Sequence, residues 1–191
     1  MNHEAGNQPI PEIFCQLESK TPFDRCALCQ CALDEKHYVV EKVIRNYVSL
    51  NTQEVIFEYA MCLACAENMR MELSEESRQK VEAYFSAHVD LVKRNDRIKQ
   101  LQGQPLGQWI SRCLIKDQMV QQSTSYSIYA LCKGHELIPS DLPYAICEEA
   151  QDEIMQLLSA KSLEILDDFM GRHFSGPPEV AEILKRRPVF F

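Results

Sequence analysis

The chain has 191 residues, enough for one ordinary domain or two small ones, and its 46% hydrophobic and 25% charged residues exclude a disordered polymer. A net charge of −8 excludes the broadly basic surface that nucleic acids and anionic membranes require. Nine cysteines are an odd number, which excludes a fully paired intramolecular disulfide framework.

Residues 1–22 are a polar, proline-containing lead-in with no basic n-region and no apolar h-region. No stretch approaches the roughly 18 apolar residues of a membrane helix. These features give the expectation of a cytoplasmic chain in which thiols stay reduced. Clustered cysteines in that setting read as metal ligands.

Two Cys-x-x-Cys pairs follow, Cys26 with Cys29 and Cys62 with Cys65. Two residues between thiolates let a tight turn aim both sulfurs at one ion, and two such pairs complete a closed tetrahedral shell. Iron accepts the same four donors, but a closed shell with no open position favours one structural zinc. Cys31 and His37 are weaker candidates because they lack that spacing. Between the pairs, residues 37–48 and 53–61 are rich in Val, Ile and Tyr, and residues 49–52 supply a turn, a β-hairpin signal. The second pair opens a helical run, CLACAENMRMEL. The order of knuckle, hairpin and helix over about residues 23–73 resembles the treble-clef zinc finger. That resemblance implies a zinc-held unit and leaves the function open, since many functions share it.

Beyond this point an internal repeat is visible. Residues 59–88 align without a gap on 144–173. Tyr59, Ala60, Cys62, Leu73, Ser74, Ser77 and His88 fall on Tyr144, Ala145, Cys147, Leu158, Ser159, Ser162 and His173. Ala27-Leu28-Cys29 recurs as Ala130-Leu131-Cys132 at a different offset, with a shortened hairpin. On that reading the four ligands map to Tyr129, Cys132, Cys147 and Ala150, so the second copy lacks the metal. A rival second site from Cys113, Cys132, His135 and Cys147 is disfavoured by its spacings.

The expected fold class is therefore α+β, a treble-clef-like zinc unit duplicated as a degenerate, mainly helical second copy. Residues 23–101 form the zinc unit with a long helix, 102–107 the linker, and 108–191 the second repeat with its C-terminal tail. Ser74 is an N-cap, and Val81, Tyr84, Phe85, His88, Leu91, Val92 and Ile98 make one continuous helical stripe. Lys93, Arg94, Arg97 and Lys99 read as a solvated helix end. Residues 108–122 read as a connecting helix and 160–173 as another, stopped by Gly176-Pro177-Pro178. A short helix over 179–186 and an apolar tail ending at Phe191 follow. His88 and His173 are expected as core histidines.

There is no His-Glu-x-x-His, no Gly-rich phosphate loop and no Gly-x-Ser-x-Gly, so no catalytic residue is identified. The leading functional expectation is a protein-interaction or adaptor module with a protein partner. Two alternatives keep different residues in view. One is a treble-clef nuclease of the His-Asn-His type using His37 and Asn68. The other is a nucleic-acid-binding zinc protein using Lys42, Arg45, Arg70 and Arg78. A redox role for the Cys-x-x-Cys pairs lacks the βαβ context it needs.

Overall fold

The computed structural model describes residues 8–101, 104–140 and 142–173. Within them, a mixed α+β fold is built on one antiparallel sheet. Strands β1 (Gln8–Pro9), β2 (His37–Tyr47), β3 (Thr52–Cys62), β4 (Ser125–Lys133), β5 (Glu136–Leu137) and β6 (Tyr144–Cys147) form it. The order is β1-β5-β4-β2-β3, and β6 shares the outer edge of β4 with β5.

The hairpin expected from the sequence is β2 and β3, turned by residues 48–51 with Asn51 at a left-handed φ of 50°. Its β-branched and aromatic residues suit a pleated, packed surface. Strand β2 is the centre of the sheet, with β3 on one side and β4 on the other, and every residue from Tyr38 to Ile44 is buried. Burial on both faces explains why period-two alternation is weak there. One glycine is required by the packing. Gly134 turns β4 into β5 at φ +53°, and a Cβ there would meet the Asp34 carbonyl oxygen at 2.3 Å.

Two charged side chains lie inside this sheet, and both are partnered, as buried charges must be. Glu41 accepts the hydroxyls of Tyr59 at 2.5 Å and Tyr129 at 2.8 Å. Lys42 pairs with Glu58 at 2.8 Å and donates to the carbonyl of Cys15. Lys42 is therefore no part of a basic surface, which removes one of the four residues suggested for nucleic-acid contact. The lead-in covers the sheet here, with Ile10, Phe14 and Cys15 buried.

Strand β3 runs directly into α1 (Leu63–Glu72), whose N-cap is Cys62. Ser74 caps α2 (Glu75–His88), its Oγ accepting the Ser77 N–H at 3.2 Å. The continuous stripe expected through Ile98 does not hold. Val89 turns extended, Asp90 Oδ1 accepts the Lys93 N–H at 3.0 Å, and a new helix α3 (Leu91–Leu101) starts. A local cap has outcompeted helix continuation. His88 is exposed and its Nδ1 lies 2.8 Å from the Tyr84 carbonyl, so it is no core histidine. The side chain of His173 and residues 174–191, including the expected short helix and tail, lie outside the described residues.

Residues 108–122 are not a helix. Single 3-10 turns at Leu106–Gln108 and Val120–Gln122 flank a tight turn over 112–119, whose Leu114 N–H donates to Ala145 of β6 at 2.7 Å. Attachment to the sheet has taken the donors a helix would use. Strand β6 then runs into α4 (Glu148–Met155) with Cys147 as N-cap, followed by α5 (Ala160–His173).

The starts of α2 and α5 meet in a ring of four serines. Ser74 Oγ lies 2.9 Å from Ser159 Oγ, and Ser77 Oγ lies 3.0 Å from Ser162 Oγ. The Ser74 N–H donates to Ser162 Oγ at 3.0 Å, and the Ser159 N–H donates to Ser77 Oγ at 2.9 Å. Each bond has a counterpart with the two helices exchanged. Among the described residues no helix is long and apolar enough to cross a membrane.

Candidate metal centre

Cys26 and Cys29 sit on a tight turn at residues 25–32. The Cys26 N–H donates to the Cys31 carbonyl at 3.0 Å, and the Gln30 N–H donates to the Cys26 carbonyl at 3.0 Å. Gln30 takes a left-handed φ of 57° to close it. Ala27 N–H to the Ala60 carbonyl, 2.8 Å, pins the turn to β3. The same strand ends at Cys62, and one turn of α1 carries Cys65 back beside it.

The four sulfurs all lie within 4.8 Å of one another. Cys29 and Cys62 Sγ are 3.9 Å apart. A tetrahedral metal with sulfurs at about 2.3 Å separates them by about 3.8 Å, so the set fits one four-coordinate ion. Backbone donors support thiolate charge: the Cys62 N–H points at Cys26 Sγ at 3.4 Å. The N-terminus of α1 adds its positive end beside Cys62 and Cys65. Cys26 and Cys62 are buried, Cys65 is half-buried and Cys29 is exposed. All four residues expected as ligands are thus brought together.

Cys31 stands just outside. Its backbone N–H, and then its thiol, donate to Cys29 and lower that thiol to about 6. Its own thiol is pushed up to about 11, chiefly by the same hydrogen bond. Cys31 therefore acts here as a donor to Cys29. His37 and Asn68 are exposed, on β2 and α1.

A second turn has the same backbone pattern. Arg112 bridges Met119 as Arg25 bridges Ala32. The Cys113 N–H donates to the Gln118 carbonyl at 2.8 Å, the Asp117 N–H to the Cys113 carbonyl at 3.0 Å, and Asp117 has a φ of 51°. The Cys147 N–H points at Cys113 Sγ at 3.3 Å, matching Cys62 and Cys26. Cys113, Lys116, Cys147 and Ala150 thus take the places of Cys26, Cys29, Cys62 and Cys65. Lys116 pairs with Glu153 at 2.5 Å, and Ala150 is fully buried.

This corrects the mapping onto Tyr129 and Cys132. Both are interior residues of β4, Tyr129 bonded to Glu41 and Cys132 opposite Tyr38 and Leu137. The recurring Ala-Leu-Cys lies on a strand, whereas a knuckle is defined by its turn hydrogen bonds. A usable signal existed, since Arg25-Cys26 and Arg112-Cys113 stand at nearly equal distances before the two Tyr-Ala-x-Cys segments. Cys132 and exposed His135 do not join Cys113 and Cys147 in a ligating group.

The chain matches no protein-family model, no curated protein and no solved structure.

Proposed function

We propose that the chain is a zinc-binding protein with one structural four-thiolate site, a treble-clef-like unit serving a protein-interaction module. The observation that carries the reading is the cluster of Cys26, Cys29, Cys62 and Cys65, with all sulfurs within 4.8 Å. Four thiolates leave no position for substrate or water, so zinc here holds the fold. Without it, the turn at 25–32 is tied to β3 and α1 by few bonds, and metal release takes away folding free energy on the order of 10 kcal/mol for such modules.

The unit is duplicated. The matched turn bonds, the matched strand-to-helix junctions and the exchanged serine bonds support that reading. The second copy has kept two thiols and replaced the other two ligands with Lys116 and Ala150. A protein partner fits the exposed apolar tip of the β2–β3 hairpin, where Val48 is 72% and Leu50 is 70% exposed.

Elemental analysis tests the metal. The wild type should carry one zinc per chain, and Cys65→Ala should carry almost none. A wild type that purifies with iron, or with no metal at all, would sink the zinc reading.

A further inference from the structure

The two thiols left in the second turn have an environment of their own. The Cys147 thiol donates to Cys113 Sγ at 3.0 Å. Cys113 Sγ also accepts the backbone N–H groups of Cys147, at 3.3 Å, and of Lys116, at 3.4 Å. Three donors converging on one sulfur stabilise its thiolate. The hydrogen bond from Cys147 lowers the Cys113 thiol to about 6, against the effect of burial, and pushes Cys147 well up. The pair is therefore asymmetric: one sulfur is a nucleophile, and the other holds the proton.

Cys113 also forms part of the wall of a cavity of about 330 Å³. Its charged lining is Lys93, Arg94, Arg97 and Arg112 against Asp90 and Asp117. Arg112 and Arg97 both reach Asp117, at 2.8 and 3.4 Å, and Lys93 lies 3.7 Å from Asp90. Positive side chains thus exceed negative ones around this thiol in a chain of net charge −8. An electropositive cavity beside a thiolate with a resolving thiol in contact is the setting of a redox-reactive cysteine. Cys113 is 2% exposed and Cys147 fully buried. That burial bars a bulky disulfide oxidant, so the oxidant must be a molecule little larger than water.

We propose that Cys113 and Cys147 form a peroxide-reactive thiol pair, with Cys113 the attacking and Cys147 the resolving sulfur. The Cys113 thiolate attacks one oxygen of hydrogen peroxide. The O–O bond breaks, the sulfur becomes a sulfenic acid, and the departing hydroxide takes up a solvent proton as water. The Cys147 sulfur then displaces hydroxide from Cys113 sulfur, and the Cys147 thiol proton leaves with it as a second water. Two thiols are oxidised to one disulfide, and one peroxide is reduced to two waters. Closing the bond brings the sulfurs from 3.0 Å to about 2.0 Å.

The test treats the metal-loaded full chain with hydrogen peroxide, blocks remaining thiols with iodoacetamide, and maps peptides by non-reducing mass spectrometry. A Cys113–Cys147 link should form about tenfold faster than any oxidation at Cys15 or Cys132, whose thiols burial pushes up. It should revert with dithiothreitol, and zinc measured in the same samples should stay bound. In Cys147→Ser, peroxide should add oxygen to Cys113, read as a mass gain on its peptide, while Cys113→Ser should show no such gain at Cys147. The proposal is overturned if Cys113 and Cys147 stay alkylatable after Cys15 or Cys132 has oxidised, or if Cys113 links to a different cysteine. Wild-type mapping decides this even where a variant fails to fold, and zinc content separates it from failure of the metal reading.

Discussion

Tyr59, Glu41 and Tyr129 lie side by side on three neighbouring strands, and the carboxylate accepts both hydroxyls. Burial first, and the Glu41 carboxylate next, raise both phenols well above their ordinary 10.0. A group raised on folding contributes stability that is complete below its unfolded value and is lost as pH climbs past it. Through these phenols urea midpoints should fall above pH 10, adding to the fall that the raised thiols of Cys15 and Cys132 begin near pH 9. Tyr129→Phe should soften the alkaline fall and cost about 1 kcal/mol at neutral pH through the lost hydrogen bond. A midpoint that rises through that range would contradict the assignment. At this scale the clustering of the four cysteines was legible, because their two-residue spacing has a geometric cause. The burial of Lys42 was not, since only the sheet brings Glu58 and the Cys15 carbonyl to it.

Among the elements, the serine ring is the joint between α2 and α5. Ser74 closes α2 as its N-cap, and Ser159 holds the same position before α5. Replacing either with alanine should cost about 1 kcal/mol. The pair should not be additive, because each hydroxyl also supports the opposite helix. A double-mutant cycle on Ser74 and Ser159 by urea unfolding measures that coupling. Additive losses would mean the ring is two independent caps. The cap at Ser74 was readable from sequence, whereas its bonds to α5 were not. The break at Val89–Asp90 and the turn at 112–119 were also missed. In both places backbone donors went to partners that helical periodicity does not reveal.

For the whole molecule, the proposed duplication makes a direct prediction. If the turn at 112–119 is a knuckle that lost its metal, restoring the missing ligands should restore the site. The double substitution Lys116→Cys with Ala150→Cys should raise zinc from one to two per chain by elemental analysis. Ala150→Cys adds a single sulfur, and Glu153 keeps the Tyr84 hydroxyl at 2.5 Å when Lys116 is shortened. A stably folded double variant that still holds a single zinc would remove the case for a relic site. Metal stripping with a strong chelator should lower the thermal midpoint of the wild type, because an ion on the proposed site would link the first turn, β3 and α1.

The sequence by itself determined the cluster of four cysteines, the β2–β3 hairpin, the helices at 63–72 and 160–173, and the match between residues 59–88 and 144–173. Each of these rests on local causes: ligand spacing, β-branched runs, caps and periodicity. Tertiary structure decided which cysteines are equivalent. Cys113 and Cys147 became partners because two turns with dissimilar side chains fold to the same hydrogen bonds against the same sheet. Cys132, which carried the sequence resemblance, went to the interior of β4. Residue spacing marked the four-cysteine cluster, but only backbone geometry shows that the turn at 112–119 matches the turn at 25–32, since a turn is held by its own N–H and C=O groups whatever side chains it carries.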